Sequence, residues 1–425
     1  MLINFAVTNY RSINKRQVFS MQTVSRILEK KDNIINTNKE QFLRTAVIYG
    51  RNASGKSNLL SAMDCLFKII VFDNFPIINA YQPFKLCVDS SQALTIFEIN
   101  FYSENGKKYF YYIAFTKNKI IEENLYYYPE GKKARLFLRK NDKLTTDISD
   151  LKDIWTNIYP YHSVLSRLNF HKIDLLLEPF HFFRRHFITQ TLIGNEKTWQ
   201  ENLEMVLNKS FMPYHINILN KILKVADTGI DSIEIKKLKP EEFEFPIDFD
   251  EMKKRSFIEQ NNFKVKLKHP VYNNGEKIKL VDFDLEEEST GTKKLLLLGS
   301  NMLDCLSDGD VLIVDELDKE LHPKLMRAII NIFNNPKTNP NNAQLIFTTH
   351  DVSLLGADLF RRDQIWITEK NIEGESFYYT IADLKGIRAE VPFEKYFLKG
   401  AFGGNPVINE FDFEFNLERK DEKKH

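Results

Sequence analysis

The 425-residue sequence holds three cysteines, Cys65, Cys87 and Cys305, and none stands in a Cys-x-x-Cys pair. That scarcity excludes a disulfide framework or a cysteine-ligated zinc site and suits a reducing compartment. Long apolar runs are missing too: the stretch around Leu295–Leu298 falls far short of the roughly 20 residues that span a bilayer. The N-terminus, MLINFAVTNYRSI, lacks the cationic start and apolar segment of a secretory leader, so a cytoplasmic protein without a membrane partner is expected. No charge of one sign dominates, with 59 Lys and Arg against 58 Asp and Glu. This balance argues against bulk polyanion binding, while a local basic face leaves nucleic acid open. Neither an internal repeat nor sustained heptads occur, which excludes a long coiled-coil arm. What remains is 43% hydrophobic and 28% charged, enough for a sizeable core in one large domain or two to three ordinary ones.

Periodicity predicts an α/β chain. Short strands are expected at Leu2–Thr8 and Thr45–Tyr49, with a helix through Ser57–Val71. The alternating, aromatic-rich stretches Leu94–Tyr102 and Lys108–Phe115 flank Asn105-Gly106, a hairpin signal, and Glu122–Tyr128 and Lys133–Arg139 extend that antiparallel sheet. Helical spacing then takes over in Leu151–Ile158, Val164–Phe187 and Trp199–Val225. Strands return at Ile233–Lys239, Phe263–Leu267 and Ile278–Leu285, with loops at Pro240–Pro246 and Asn273–Gly275. Val311–Val314, Gln344–Thr348 and Gln364–Ile367 read as strands with helices between them. The expected organisation is 1–147 and 276–410 as two halves of one head, 148–275 as a helical and mixed insert, and 411–425 as a disordered, mixed-charge tail.

Gly50-Arg51-Asn52-Ala53-Ser54-Gly55-Lys56-Ser57 fits G-x-x-x-x-G-K-[ST] between a strand and a helix, the setting of a phosphate-binding loop. Such a loop turns backbone N–H groups and a helix N-terminus toward phosphate oxygens. Lys56 would reach the β and γ phosphates of ATP, and the Ser57 hydroxyl would join Mg²⁺. Val311–Val314 ends in Asp315 and Glu316, placing two carboxylates at the carboxyl end of a strand. Asp315 is the metal candidate, and Glu316 the general base for the attacking water. His350 ends the next strand, within reach of a γ-phosphate; a purely structural histidine is the bland alternative. Ser289, Gly291 and Thr292 open a long apolar helix and form either an anion site or a plain N-cap. Phe170, Phe180, Phe182, Phe183 and Phe187, beside Arg184 and Arg185, fit a buried helix face better than a base-stacking platform.

Taken in order, NYRSI, the phosphate loop, STGTKK, VLIVDELDKELHP and TTHD resemble the SMC-like ABC ATPases, and more narrowly the short bacterial branch of RloA/AbiL-type and OLD-type proteins. The resemblance covers about 1–130 and 275–408. It implies an ABC/SMC-type P-loop NTPase head with an antiparallel β subdomain, hydrolysing ATP with Mg²⁺. It also implies that Ser289 and its neighbours cap the γ-phosphate held by a second copy, so that ATP brings copies together as a dimer or higher oligomer. Asp318 falls in the D-loop, Gln82 where a metal-contacting glutamine stands, and Arg11 on the phosphate side. The chain has no zinc hook and no visible fused nuclease, so the function implied is a sensor or scaffold controlling a separately encoded effector in antiviral defence, with a phage-derived trigger. A DNA-repair or DNA-end-binding ATPase is the competing expectation.

Overall fold

The computed structural model describes residues 1–37, 40–156, 158–190, 213–226, 228–239, 241, 250, 251, 254, 263–319, 321–356, 358–387 and 391–403. The 411–425 tail, most of the loop 240–246 and the part of the third helical stretch at 199–212 lie outside the described residues.

Two sheets and the helices around them position the site. The larger sheet is antiparallel, in the order β10-β9-β8-β7-β6-β1-β2. Its strands are β1 (Leu2–Thr8), β2 (Gln17–Ser20), β6 (Thr95–Tyr102), β7 (Lys108–Phe115), β8 (Ile120–Tyr127), β9 (Ala134–Lys140) and β10 (Lys143–Thr146). Strict alternation of buried and half-buried residues along β6 shows one face on the core and one toward solvent. The second sheet runs β11-β15-β16-β5-β17-β18, from β5 (Thr45–Gly50), β11 (Phe187–Gln190), β15 (Val311–Val314), β16 (Gln344–Thr348), β17 (Ile365–Lys370) and β18 (Ser376–Thr380). All its pairs are parallel except the antiparallel β17–β18 edge.

The central strands are buried on both faces, which is why they read as continuous apolar runs. Ala46 and Ile48 of β5 face one core; Val47 and Tyr49 face the other. The first core fills the space between the two sheets with α1 (Lys56–Val71), α2 (Ile77–Ala80), α3 (Ser149–Trp155) and α4 (Asp174–His186). The second lies under α5 (Pro213–Val225), α6 (Thr290–Asp308), α7 (Pro323–Asn334) and α8 (Phe393–Leu398). Leu59, Leu60, Met63, Leu66, Ile69 and Ile70 of α1 are buried, each contributing about 1.5–3 kcal/mol of apolar burial. That packing, rather than intrinsic propensity, fixes the direction in which α1 leaves the end of β5.

A third sheet, β12 (Ser232–Lys237), β13 (Phe263–Asn273) and β14 (Glu276–Asp284), leads into α6. Its hairpin turn has positive φ at both Asn274 (52°) and Gly275 (87°), the twist-matched type I′ geometry that Asn-Gly favours. Ile34–Asn36 and Gln41–Leu43 form the small pair β3–β4.

The structure departs from the sequence expectation at several places. Phe187 ends the helical stretch and at once begins β11, which joins the core sheet beside β15. β13 continues six residues past Leu267, because β14 supplies backbone partners out to Asn273. The periodicity predicts neither β18 nor the short strands β2, β3, β4 and β10. Of the five phenylalanines expected on a buried helix face, Phe180, Phe182 and Phe183 of α4 and Phe187 at the start of β11 are buried, with Phe182 stacked on Phe101 of β6 at 4.1 Å. Phe170, by contrast, lies before α4 at the end of a short turn and is 66% exposed, its ring against Arg167. No helix among the described residues is long and apolar enough to cross a membrane.

Candidate functional site: a phosphate loop facing two carboxylates

The loop from Gly50 to Ser57 bridges the carboxyl end of β5 and the first turn of α1. Its two glycines are required by space. A Cβ on Gly50 would meet Thr368 O of β17 and Ser54 Oγ, both at 2.6 Å. Gly55 has φ +113° and sits against Ser376 Oγ and Ser12 Oγ, leaving no room for a side chain. Between them Ala53 holds φ +61°, a left-handed conformation that costs an L-residue roughly 1–2 kcal/mol. Arg51, Asn52 and Ala53 are exposed, whereas Ser54, Gly55 and Lys56 are buried.

The loop is braced from behind by residues that the sequence did not single out. Ser376 Oγ donates to Ser54 O at 2.5 Å, and Tyr378 OH donates to Gly55 O at 2.7 Å. Ser12 Oγ lies 2.6 Å from Ser376 Oγ and accepts from Asn58 Nδ2 at 2.6 Å. The edge strand β18 and the turn after β1 therefore hold the phosphate loop in one shape. Ser12 lies inside the NYRSI motif; Ser376 and Tyr378 carry no sequence signal, since their role depends on strand pairing.

Lys56 Nζ is folded onto the loop and donates to Gly50 O (2.9 Å) and Arg51 O (3.2 Å). Burial lowers its pKa from the ordinary 10.5 to about 8, against the opposing pull of Asp315, Glu316 and Asp318. Ser57 Oγ donates to Asp315 Oδ1 at 3.1 Å, and Thr348 Oγ1 donates to the same oxygen at 2.5 Å. Thr348 also accepts from the backbone N–H of Glu316 at 2.7 Å. This works because β16 lies between β5 and β15, so its last residue faces the carboxyl ends of both neighbours. Glu316 holds φ +53° and a half-exposed carboxylate 3.5 Å from Lys319 Nζ.

Nine non-glycine residues among those described have positive φ, and Asn9, Arg11, Ala53 and Glu316 are four of them. Strain of this kind persists where the surroundings over-determine the backbone, and two of these residues lie in the site itself, Ala53 in the phosphate loop and Glu316 beside Asp315.

Asp318 accepts from the backbone N–H of His350 at 3.1 Å, tying the segment after β15 to the end of β16; the His350 side chain is exposed. Arg11 and Gln82 come together: Arg11 Nε donates to Gln82 Oε1 at 2.7 Å, and Arg11 Nη1 donates to Ser61 Oγ at 2.9 Å. Ser61 lies one helical turn beyond Ser57 on the same face of α1. The Gln82 amide also donates to Asn79 O at 2.9 Å, and no described hydrogen bond carries it to Ser57 or Asp315. Ser289 caps α6, its Oγ accepting from Thr292 N at 3.1 Å; it is exposed, Gly291 is half-buried and Thr292 is buried. No described hydrogen bond joins these three residues to the phosphate loop of the same chain.

The donor set fits a magnesium ion. Ser57 Oγ and the buried Asp315 carboxylate converge as hard oxygen ligands. No cluster of three or more His, Cys, Asp or Glu is present among the described residues. Magnesium characteristically takes a few protein oxygens together with phosphate oxygens and water, rather than an all-protein cage.

The fold and this site define a P-loop NTPase-type head, mixed α/β with an antiparallel subdomain. The chain belongs to the family described as "AAA domain, putative AbiEii toxin, Type IV TA system", which matches residues 46–356. No curated protein matches the sequence. Among solved structures it is similar to an SMC head bound to the C-winged helix domain of ScpA, with 11% identity over 89% of this chain and 97% of that one and a TM-score of 0.45. It is also similar to the SMC head domain from Thermotoga maritima, with 13% identity, 89% and 98% coverage and a TM-score of 0.40. The recombination mediator protein RecF-ATPrS in the RecFOR pathway gives 15% identity, 89% and 98% coverage and a TM-score of 0.40.

Proposed function

We propose that this chain is an SMC-like ABC ATPase whose copies close on ATP and Mg²⁺, hydrolyse the nucleotide slowly, and thereby control a separate effector protein in antiviral defence. The observation that carries the reading is the chain Ser57–Asp315–Thr348–Glu316, set against a signature-type helix cap at Ser289 that is exposed and has no hydrogen bond to its own phosphate loop among the described residues. Magnesium held by Ser57 and Asp315 would neutralise charge on the phosphate oxygens. The loop N–H groups and Lys56 would orient the triphosphate, and Lys56 would leave its two carbonyl partners to do so. Glu316 would accept the proton of a water attacking the γ-phosphorus in line, with ADP as the leaving group. His350 would steady a γ-phosphate oxygen. Ser289, Gly291 and Thr292 of a second copy would complete the site, the α6 N-terminus facing the γ-phosphate. A family description that names a toxin–antitoxin system supports the defence setting.

The test is the mass of the Glu316→Gln protein by light scattering, with and without ATP and Mg²⁺. ATP-dependent doubling or higher assembly is expected, because the nucleotide binds and is not cleaved. A mass unchanged by ATP, with ATP bound, would reduce Ser289 to a helix cap.

A further inference from the structure

At the C-terminal end of α1 lies a cleft of about 340 Å³, lined by Asn74, Phe75, Ile78, Lys117, Asn118, Tyr161, His162 and their neighbours. It is remote from the phosphate loop: α1 has 16 residues, so its two ends stand about 24 Å apart. Three segments build it: the turn after α1, the β7–β8 turn, and the loop before Val164.

That last loop is held with unusual firmness for a surface segment. Arg139 is 1% exposed and donates to three of its carbonyls: His162 O at 2.6 Å, Pro160 O at 3.0 Å and Tyr159 O at 3.4 Å. Glu123, fully buried and 3.5 Å from Arg139, accepts from Val164 N and from Tyr111 OH, both at 2.9 Å. Pro160 O also accepts from Ile120 N at 2.9 Å, locking the loop to the β7–β8 turn. A buried ion pair adds little net stability compared with apolar packing, so its evident effect here is geometric. What it positions is exposed and aromatic: Tyr159 and Tyr161 stack with rings 5.5 Å apart and 7° from parallel, at 57% and 42% exposure. His162 Nδ1 is buried and without a hydrogen-bond partner among the described residues.

We propose that this cleft is a second ligand site, and that it takes a nucleobase carrying a phosphate. The side-chain amides of Asn74 and Asn118 each offer a donor and an acceptor, matching the mixed edge of a base. Tyr161 and Phe75 supply aromatic surface for its face. Lys117, exposed and unpaired among the described residues, supplies the cation for its phosphate. Burial lowers the pKa of His162 and so favours the uncharged imidazole beside the cleft. The cleft volume is at the small end of ligand pockets, the size range of a mononucleotide or one terminal nucleotide of a strand.

The test uses the full chain with Lys56→Ala, so that the phosphate loop no longer reports. Adenosine monophosphate and a short 5′-phosphorylated single-stranded oligonucleotide are titrated by calorimetry. Saturable binding of either is expected, weakened at least tenfold by Tyr161→Ala and by Lys117→Glu; both side chains are exposed, and melting curves check that the variants are folded. Preference for the free nucleotide identifies a metabolite source, and preference for the oligonucleotide identifies a strand end. Absence of binding to both probes, or binding that neither substitution changes, overturns the proposal.

Discussion

Thr348→Val isolates the hydroxyl that links the two acidic residues. Thr348 is fully buried and ends a β-strand; valine matches its shape and β-branching, so packing is preserved while two hydrogen bonds are lost. The first, to the Asp315 carboxylate, is charge-assisted and contributes about 1.5–3 kcal/mol. The second accepts from the Glu316 N–H. Glu316 is half-exposed and water can take over that N–H, so its loss is at the low end, about 1 kcal/mol. The fold should therefore lose about 2.5–4 kcal/mol, visible as a lower melting temperature. The strained backbone at Glu316 would relax at the same time and move the carboxylate. If that removes about 2 kcal/mol of transition-state stabilisation, kcat falls about 30-fold. Phosphate release gives kcat, and a fluorescent ATP analogue gives affinity, which should change by less than about threefold because Lys56 and the loop are untouched. Thr348→Ser keeps the hydroxyl and should recover most of the rate. Valine turning over like the wild type, or serine failing as badly as valine, would refute the assigned link.

Neighbouring positions of the phosphate loop should respond with opposite signs. Ala53→Gly relieves a positive φ and should stabilise the apo chain by up to about 1 kcal/mol in thermal melts; destabilisation would contradict the strain assignment. Gly55→Ala places a methyl against Ser376 and Ser12 at φ +113°, and should abolish nucleotide binding while the remainder of the chain still melts cooperatively. Lys56 gives a pH prediction, since its folded pKa of about 8 lies below its ordinary 10.5. Below about pH 8 the lysine is charged in both folded and unfolded chains, and its destabilising effect is complete. Between about 8 and 10.5 the folded chain releases a proton that the unfolded chain keeps, so this contribution to stability rises with pH. A bound triphosphate favours the charged lysine, so ATP binding near pH 8.5 should take up a fraction of a proton. Calorimetry in two buffers of different ionisation enthalpy measures that uptake, and identical heats would contradict it.

Much of the fold was legible because its signals are local. Val311–Val314 and Gln344–Thr348 are apolar runs whose bounds the sequence shows directly; Asn105-Gly106 marks the β6–β7 hairpin, while Asn274-Gly275, expected only as a loop, closes the β13–β14 hairpin. The positions of the phosphate loop and of Asp315 and Glu316 were legible for the same reason: each lies at the end of a strand that periodicity reveals. What stayed hidden depends on pairing between distant segments. Ser376 and Tyr378 brace the loop only because β18 adds to the edge of the core sheet, and nothing in Ser-Phe-Tyr-Tyr-Thr announces that edge. Thr348 looked like the flank of His350, but its hydroxyl joins the two carboxylates because β16 lies between β5 and β15. β11 was hidden because four strand residues follow a helix without a turn signal.

The central claim is that each ATP site is shared between two copies, and mixing two inactive variants tests it most directly. Lys56→Ala disables the phosphate loop, and Ser289→Arg disables the helix cap; each protein alone should hydrolyse no ATP. In a mixed pair, one composite site combines the intact loop of the Ser289→Arg copy with the intact cap of the Lys56→Ala copy. Activity should return on mixing, toward half the wild-type rate in mixed pairs. Mixtures as inactive as their components, although mixed pairs form, would contradict a shared site.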